Sequence, residues 1–204
     1  MANRSDNFTR ADNASALGTP SDGGSAWVNV INFMGISTNR AYNASSTTDV
    51  SVLDAGALVV DVSCVPTGTM HTQGLSARVA DSLNYVFVRY GPPGLFVSKV
   101  IAGSSTQIGF DTGAVVSAGD TLTMQVRGTS PTTFTILVNG VANSTIGTLS
   151  VSDASIQTST RYGLYCQGSL ANFWTSFGIS DLTPQVVPVL SGLDTRFTPR
   201  QFTY

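Results

Sequence analysis

Apolar residues in this chain recur at every second position or in short unbroken runs, and nowhere at helical spacing with caps sustained for three turns. The clearest runs are Trp27–Ile31, Leu58–Cys64, Gly74–Val79, Tyr85–Tyr90, Leu95–Ile101, Leu122–Arg127, Phe134–Val138, Tyr162–Cys166 and Phe173–Ile179. Turn chemistry separates them: Asp22-Gly23-Gly24, Gly91-Pro92-Pro93-Gly94, Gly103-Ser104-Ser105 and Asn139-Gly140. The Asn-Gly pair after Phe134–Val138 predicts a tight hairpin. Nine or more short strands at this spacing predict an all-β sandwich or jelly roll.

Alternation also predicts two faces. In Thr121–Arg127, residues Leu122, Met124 and Val126 point to the core, so Thr123, Gln125 and Arg127 share the other side. In Asn84–Tyr90, Val86, Val88 and Tyr90 fit the core, leaving Tyr85, Phe87 and Arg89 as an aromatic and basic row outside. The phase of this second strand is ambiguous, because both sets contain apolar residues.

After Asp181 the pattern changes. Prolines at 184, 188 and 199 block helix and central strand, yet Val186, Val187, Val189, Leu190, Phe197, Phe202 and Tyr204 are too apolar for a solvated linker. The reading is a domain over residues 1–182 and an extended C-terminal arm over 183–204. The arm lies along its own domain or, the favoured reading, along a neighbouring subunit as an assembly element.

Composition narrows the function. The acidic residues are twelve aspartates with no glutamate, and the chain holds one lysine (Lys99) and one histidine (His71). Glu, Lys and His do most general acid–base work, so their scarcity points to a β-rich protein that is not an enzyme. Charged residues make up 11% of the chain against about 25% in an average protein. A net charge of −2 with scattered arginines argues against nucleic acid as a partner. No apolar stretch approaches the ~20 residues of a membrane span. Met1–Asn7 lacks the hydrophobic run of a secretory leader. That predicts exit by another route, such as lysis within a particle, or a trimmed chain. Cys64 and Cys166 end two apolar runs; two buried free thiols is the favoured reading, and a bridge between facing strands the alternative.

Three stretches together resemble the laminin-G-like, concanavalin-type lectin jelly roll: Gly119–Gly128, Phe134–Gly140 and Arg161–Tyr165. The opening Asp6-Asn7-Phe8-Thr9-Arg10-Ala11-Asp12 and a closing strand over Phe173–Leu182 fit the same pattern, whose first and last strands pair. The resemblance covers residues 5–182. The opening phrase, with Arg-rich and Lys-poor usage, also resembles lectin-like domains of bacteriophage virion proteins, in minor tail, fibre and decoration proteins. It implies a non-enzymatic virion structural protein, assembled in the host cytoplasm, with other virion proteins or copies of itself as partners and host-surface glycans as a further contact. A homo-oligomer formed through the arm would be a trimer, a hexamer or a lattice contact. The alternative is a carbohydrate-binding module or lectin outside a virion.

Glucanase relatives of this fold carry a Glu-x-Asp-x-x-Glu strand, since glycoside hydrolysis needs two carboxyls roughly 5–9 Å apart. Without glutamate that motif does not exist here. Asp49, Asp54, Asp61, Asp81, Asp111, Asp120 and Asp153 mostly sit where turns begin, and turn and cap duty is the favoured reading for them. His71 sits in a loop-like stretch with no nucleophile elbow, so no catalytic residue is assigned. One His and two distant Cys do not make a zinc site. No cofactor is assigned; calcium, which relatives hold in rim loops, stays open without nameable ligands. A sugar site would combine an aromatic ring with planar hydrogen-bonding groups. The glycan-binding candidates are Tyr85, Arg89, Gln125 and Arg127 on an outer sheet face. The competing reading is an exposed face, or one covered by a symmetry mate. Trp27 and Trp174 are assigned to the core.

Overall fold

The computed structural model describes residues 3–45, 47–67, 72–168 and 173–182. The arm residues Val186, Val187, Val189, Leu190, Phe197, Phe202 and Tyr204, and His71, lie outside the described residues.

The first strands are β1 (Arg4–Asp6), β2 (Val28–Ile31), β3 (Met34–Ser37), β4 (Arg40–Asn43), β5 (Thr48–Asp54) and β6 (Val60–Pro66). They are followed by β7 (Gln73–Asp81), β8 (Asn84–Gly91), β9 (Gly94–Ile101), β10 (Ser104–Asp111), β11 (Leu122–Arg127) and β12 (Thr132–Val138). Then come β13 (Val141–Ala142), β14 (Thr148–Val151), the short helix α1 (Ala154–Gln157), β15 (Arg161–Gln167) and β16 (Phe173–Asp181). Among the described residues no helix is long and apolar enough to cross a membrane.

These strands form two antiparallel sheets stacked as a sandwich. Sheet I runs β13-β12-β11-β6-β16-β4-β3, with β1 also on β16 and β14 also on β12. Sheet II runs β10-β9-β8-β7-β15-β5-β2. The first and last described strands pair, Arg4 opposite Ile179, as the resemblance implied. Between the sheets, Val62, Leu122, Met124 and Val126 of sheet I face Leu75, Val86, Val88 and Leu164 of sheet II, all fully buried. Each such side chain contributes about 1.5–3 kcal/mol over an exposed one. Leu122, Met124 and Val126 are the inner set that alternation predicts, and the structure decides the phase that Asn84–Tyr90 left open, with Val86, Val88 and Tyr90 inside.

The opening phrase is a structural clasp. Asp6 is buried and accepts hydrogen bonds from the Phe8 amide at 2.9 Å and from Trp27 Nε1 at 2.7 Å, and it pairs with Arg10. Trp27 in turn meets Phe177 of β16 edge-on, with ring centroids 4.9 Å apart. Both tryptophans are buried, as are Cys64 on β6 and Cys166 on β15, which are free thiols.

Most of the singled-out aspartates do turn or cap duty. Asp54, Asp81, Asp111 and Asp153 each accept from the backbone amide two residues on, and Asp120 accepts from Ser117. Asp49 and Asp61 correct the expectation. Both lie inside strands, Asp49 buried on β5 beneath Ser45 and Cys166, and Asp61 on the outer face of β6.

Arg78 had no signal in the sequence. The pairing of β7 with β8 slips between Ala77 and Asp81, and there Arg78 takes φ 54°. That bulge turns a fully buried guanidinium onto three carbonyls: Ser159 at 3.0 Å, Leu58 at 2.7 Å and Gly128 at 2.7 Å.

Candidate functional site

Register across sheet II decides which side chains share its outer face. Arg89 stands opposite Gly74 on β7 and Phe96 on β9; Gly74 stands opposite Tyr165 on β15. One step along, Phe87 stands opposite Ser76 and Ser98. Tyr85 and Val100 form the next pair. Directly paired residues point the same way, so these groups form one surface.

The middle of that surface is low because β7 presents Gly74 and Ser76 there. A Cβ on Gly74 would run into the Val88 carbonyl, so the strand tolerates no side chain at this point. Phe87 and Tyr165 lean over the gap and stack, and Tyr85 packs beside Phe87 with centroids 6.0 Å apart. With Val50, Val52, Val79 and Val100 they make a second apolar cluster, separate from the core between the sheets. Tyr85, Phe87 and Tyr165 are each 5% exposed or less, so they are a floor and not a protruding platform. Burial raises the hydroxyl pKa of Tyr85 and Tyr165, which keeps both protonated as donors at neutral pH.

Above this floor lies an open depression of about 370 Å³, rimmed by Thr48, Arg89, Ser98, Ser105 and Gln167. No carboxylate lines it. The Arg89 guanidinium rests over the Phe96 ring, 4.2 Å from its centroid, and Phe96 stacks on Phe110 of β10 at 4.4 Å. These contacts seat the guanidinium over an aromatic ring without using its N–H donors.

Tyr85 and Arg89 therefore share one outer face, and Gln125 and Arg127 do not lie on it. Those two lie on β11 in sheet I, on the opposite outer surface of the sandwich. Arg127 pairs with Asp61 at 2.5 Å and donates to the Val60 carbonyl at 2.6 Å; Gln125 donates to the same Asp61 at 3.4 Å. Their polar groups answer one another. Alternation reports which of two faces a side chain takes, and not which sheet its strand joins; the four-residue grouping failed for that reason. Ser98 was readable, since Phe96, Ser98 and Val100 alternate outward along β9. Thr48 and Gln167 were not, because nothing local says that β5 and β15 pair.

Among the described residues no three His, Cys, Asp or Glu side chains gather as a metal site would require. Neither a protein-family model nor a curated protein sequence matches the chain. Solved structures do. A carbohydrate-binding module, CBM66 from Bacillus subtilis, is similar over 76% of this chain and 92% of its own, with TM-score 0.51 and 13% identity. The exoplasmic/lumenal domain of VIP36, in a form bound to Ca²⁺ and Man2, is similar over 84% and 87%, with TM-score 0.51 and 9% identity. At such identity the likeness concerns the fold. This chain has the concanavalin-like, lectin-type jelly-roll sandwich.

Proposed function

We propose that this chain is a non-enzymatic carbohydrate-binding domain whose ligand lies on the outer face of sheet II, over β8, β9 and β15. The observation that carries this reading is Arg89. Of the seven described arginines it alone donates no hydrogen bond to a described residue; Arg4, Arg10, Arg40, Arg78, Arg127 and Arg161 are all engaged. It borders a depression whose floor is aromatic and whose rim offers hydroxyl and amide groups, the combination that receives a sugar's C–H faces and hydroxyls. The names of the two similar structures, a carbohydrate-binding module and a Man2-bound domain, support the same reading. The lack of glutamate, and aspartates committed to turns and internal pairs, support a role without catalysis.

Gln125 and Arg127 drop out of this site, and Tyr85 moves from ring platform to floor. A virion setting, with other virion proteins or copies of itself as partners, rests on composition and on the opening phrase. Asp6, Phe8 and Arg10 of that phrase serve the fold, which leaves composition as the main support. Mass spectrometry of particles from a host lysate tests that setting: the chain is found in them, or the virion reading falls.

The binding reading is tested on a glycan array with the full chain presented multivalently. Saturable binding to one glycan class, lost in Arg89→Ala and retained in Arg127→Ala, is the expected result. Binding lost in Arg127→Ala and kept in Arg89→Ala would move the site to sheet I.

A further inference from the structure

We infer that the saccharide this face receives is acidic, carrying a carboxylate or a phosphate that meets the Arg89 guanidinium. The inference rests on the glycan-binding reading above and adds the charge of the ligand.

The first ground is the pattern of charge. The chain as a whole is acidic, with formal net charge −2, yet the depression is lined by one cation and no anion. Lys99, on the neighbouring strand, projects to the other side of the sheet, since its register partner Val86 belongs to the inner core. Arg89 is thus the fixed charge of this surface, and among the described residues it has no ion-pair or hydrogen-bond partner.

The second ground is geometric. A guanidinium presents N–H donors in a planar fork that matches the two oxygens of a carboxylate or phosphate. Here the guanidinium lies over the ring of Phe96, itself stacked on Phe110, while its donors meet no acceptor among the described residues. A docking anion therefore pays little ordering entropy on the protein's side. A neutral sugar would cover the cation and supply no counter-charge, and an uncompensated charge taken from water is costly. Thr48, Ser98 and Gln167 around the same depression would take the hydroxyls of the same residue.

The test uses the full chain and matched ligands: an oligouronate, the same oligosaccharide with its carboxyls reduced to alcohols, and a polyol-phosphate chain. Affinities are measured by calorimetry at two salt concentrations. At least tenfold tighter binding of either acidic ligand than of the reduced one supports the inference, and the tighter of the two identifies carboxylate or phosphate. That preference should shrink with added salt and vanish in Arg89→Gln, whose circular dichroism and melting temperature report that the fold is kept; Arg89→Lys should restore part of it. Equal or tighter binding of the reduced oligosaccharide, still weakened by Gln167→Ala, would overturn the acidic ligand and leave the glycan site standing. Absence of binding to all three, together with a silent glycan array, would overturn both.

Discussion

Phe87 and Tyr165 stack with ring centroids 4.1 Å apart and 10° between their planes, although β7 runs between the strands that carry them. Two strand steps separate their backbones by about 9–10 Å. The rings meet because β7 has only Gly74 and Ser76 beneath them. Ser76 is fully buried, and its hydroxyl has no hydrogen-bond partner. Ser76→Val should push the rings apart and cost about 1–3 kcal/mol. Ser76→Ala should be neutral or stabilising, because it removes an unpaired buried hydroxyl. Urea unfolding midpoints measure both, and near-ultraviolet circular dichroism follows the rings. Equal destabilisation by the two variants would mean that the rings do not rest on this position.

The low exposure of Tyr85 changes how its role is tested. On a protruding ring Tyr85→Ala would remove binding alone; in this floor it also opens a cavity, at about 3–5 kcal/mol for loss of a buried aromatic. Tyr85→Phe keeps the floor and removes the hydroxyl. The expected outcome is an unchanged melting temperature with any loss confined to glycan affinity. A melting temperature lowered as far as in Tyr85→Ala would assign the hydroxyl to the fold.

Arg78 pins three loops from inside, through the carbonyls of Leu58, Gly128 and Ser159. Arg78→Met should cost about 3–5 kcal/mol, comparable to breaking a buried charged pair, because three carbonyls lose their donor. Arg78→Lys should recover only part, since one ammonium does not span three acceptors. Thermal unfolding of both variants checks the order; Lys and Met behaving alike would show that the carbonyls find other partners.

The carboxylates divide in their response to pH. Hydrogen bonds from Asn143, Asn139 and Ser155 hold Asp111, Asp120 and Asp153 below the usual carboxylate range. A depressed folded-state pKa gives stability that is present at neutral pH and lost as pH falls through the folded value. Burial drives Asp49 the other way, above its ordinary value. Its ionisation therefore opposes folding, and its contribution worsens as pH rises from the ordinary value through the raised one. Asp49→Asn should be more stable relative to wild type at pH 7 than at pH 3, as read from urea midpoints at the two values. A difference independent of pH would show that burial does not raise the pKa of Asp49 in the folded protein.

Much of this architecture was legible from local pattern. Strict alternation placed Leu122, Met124 and Val126 inside, and Asn139-Gly140 forms its turn with φ of 51° and 78°. What escaped did so for physical reasons. β10 begins Ser104-Ser105-Thr106-Gln107 and lies at the edge of sheet II with an exposed face, so it shows no apolar alternation. The turn before it is Ala102-Gly103, one residue earlier than the glycine-serine signal suggested. β5 begins Thr48-Asp49 and ends at Asp54, so its ends read as turns, yet Asp49 is buried within it. The candidate site was half legible: alternation within β8 groups Tyr85, Phe87 and Arg89 but leaves open which face they take, and their separation from Gln125 and Arg127 depends on which strands join which sheet.

The most direct measurement is to map the bound glycan by backbone and side-chain amide NMR. Titration with an array-positive glycan should shift Arg89 Nε–H, the Gln167 side-chain amide and backbone amides of β8, β9 and β15, with sheet I unmoved. Shifts concentrated on Gln125, Arg127 and β11, with Arg89 and Gln167 silent, would contradict the account.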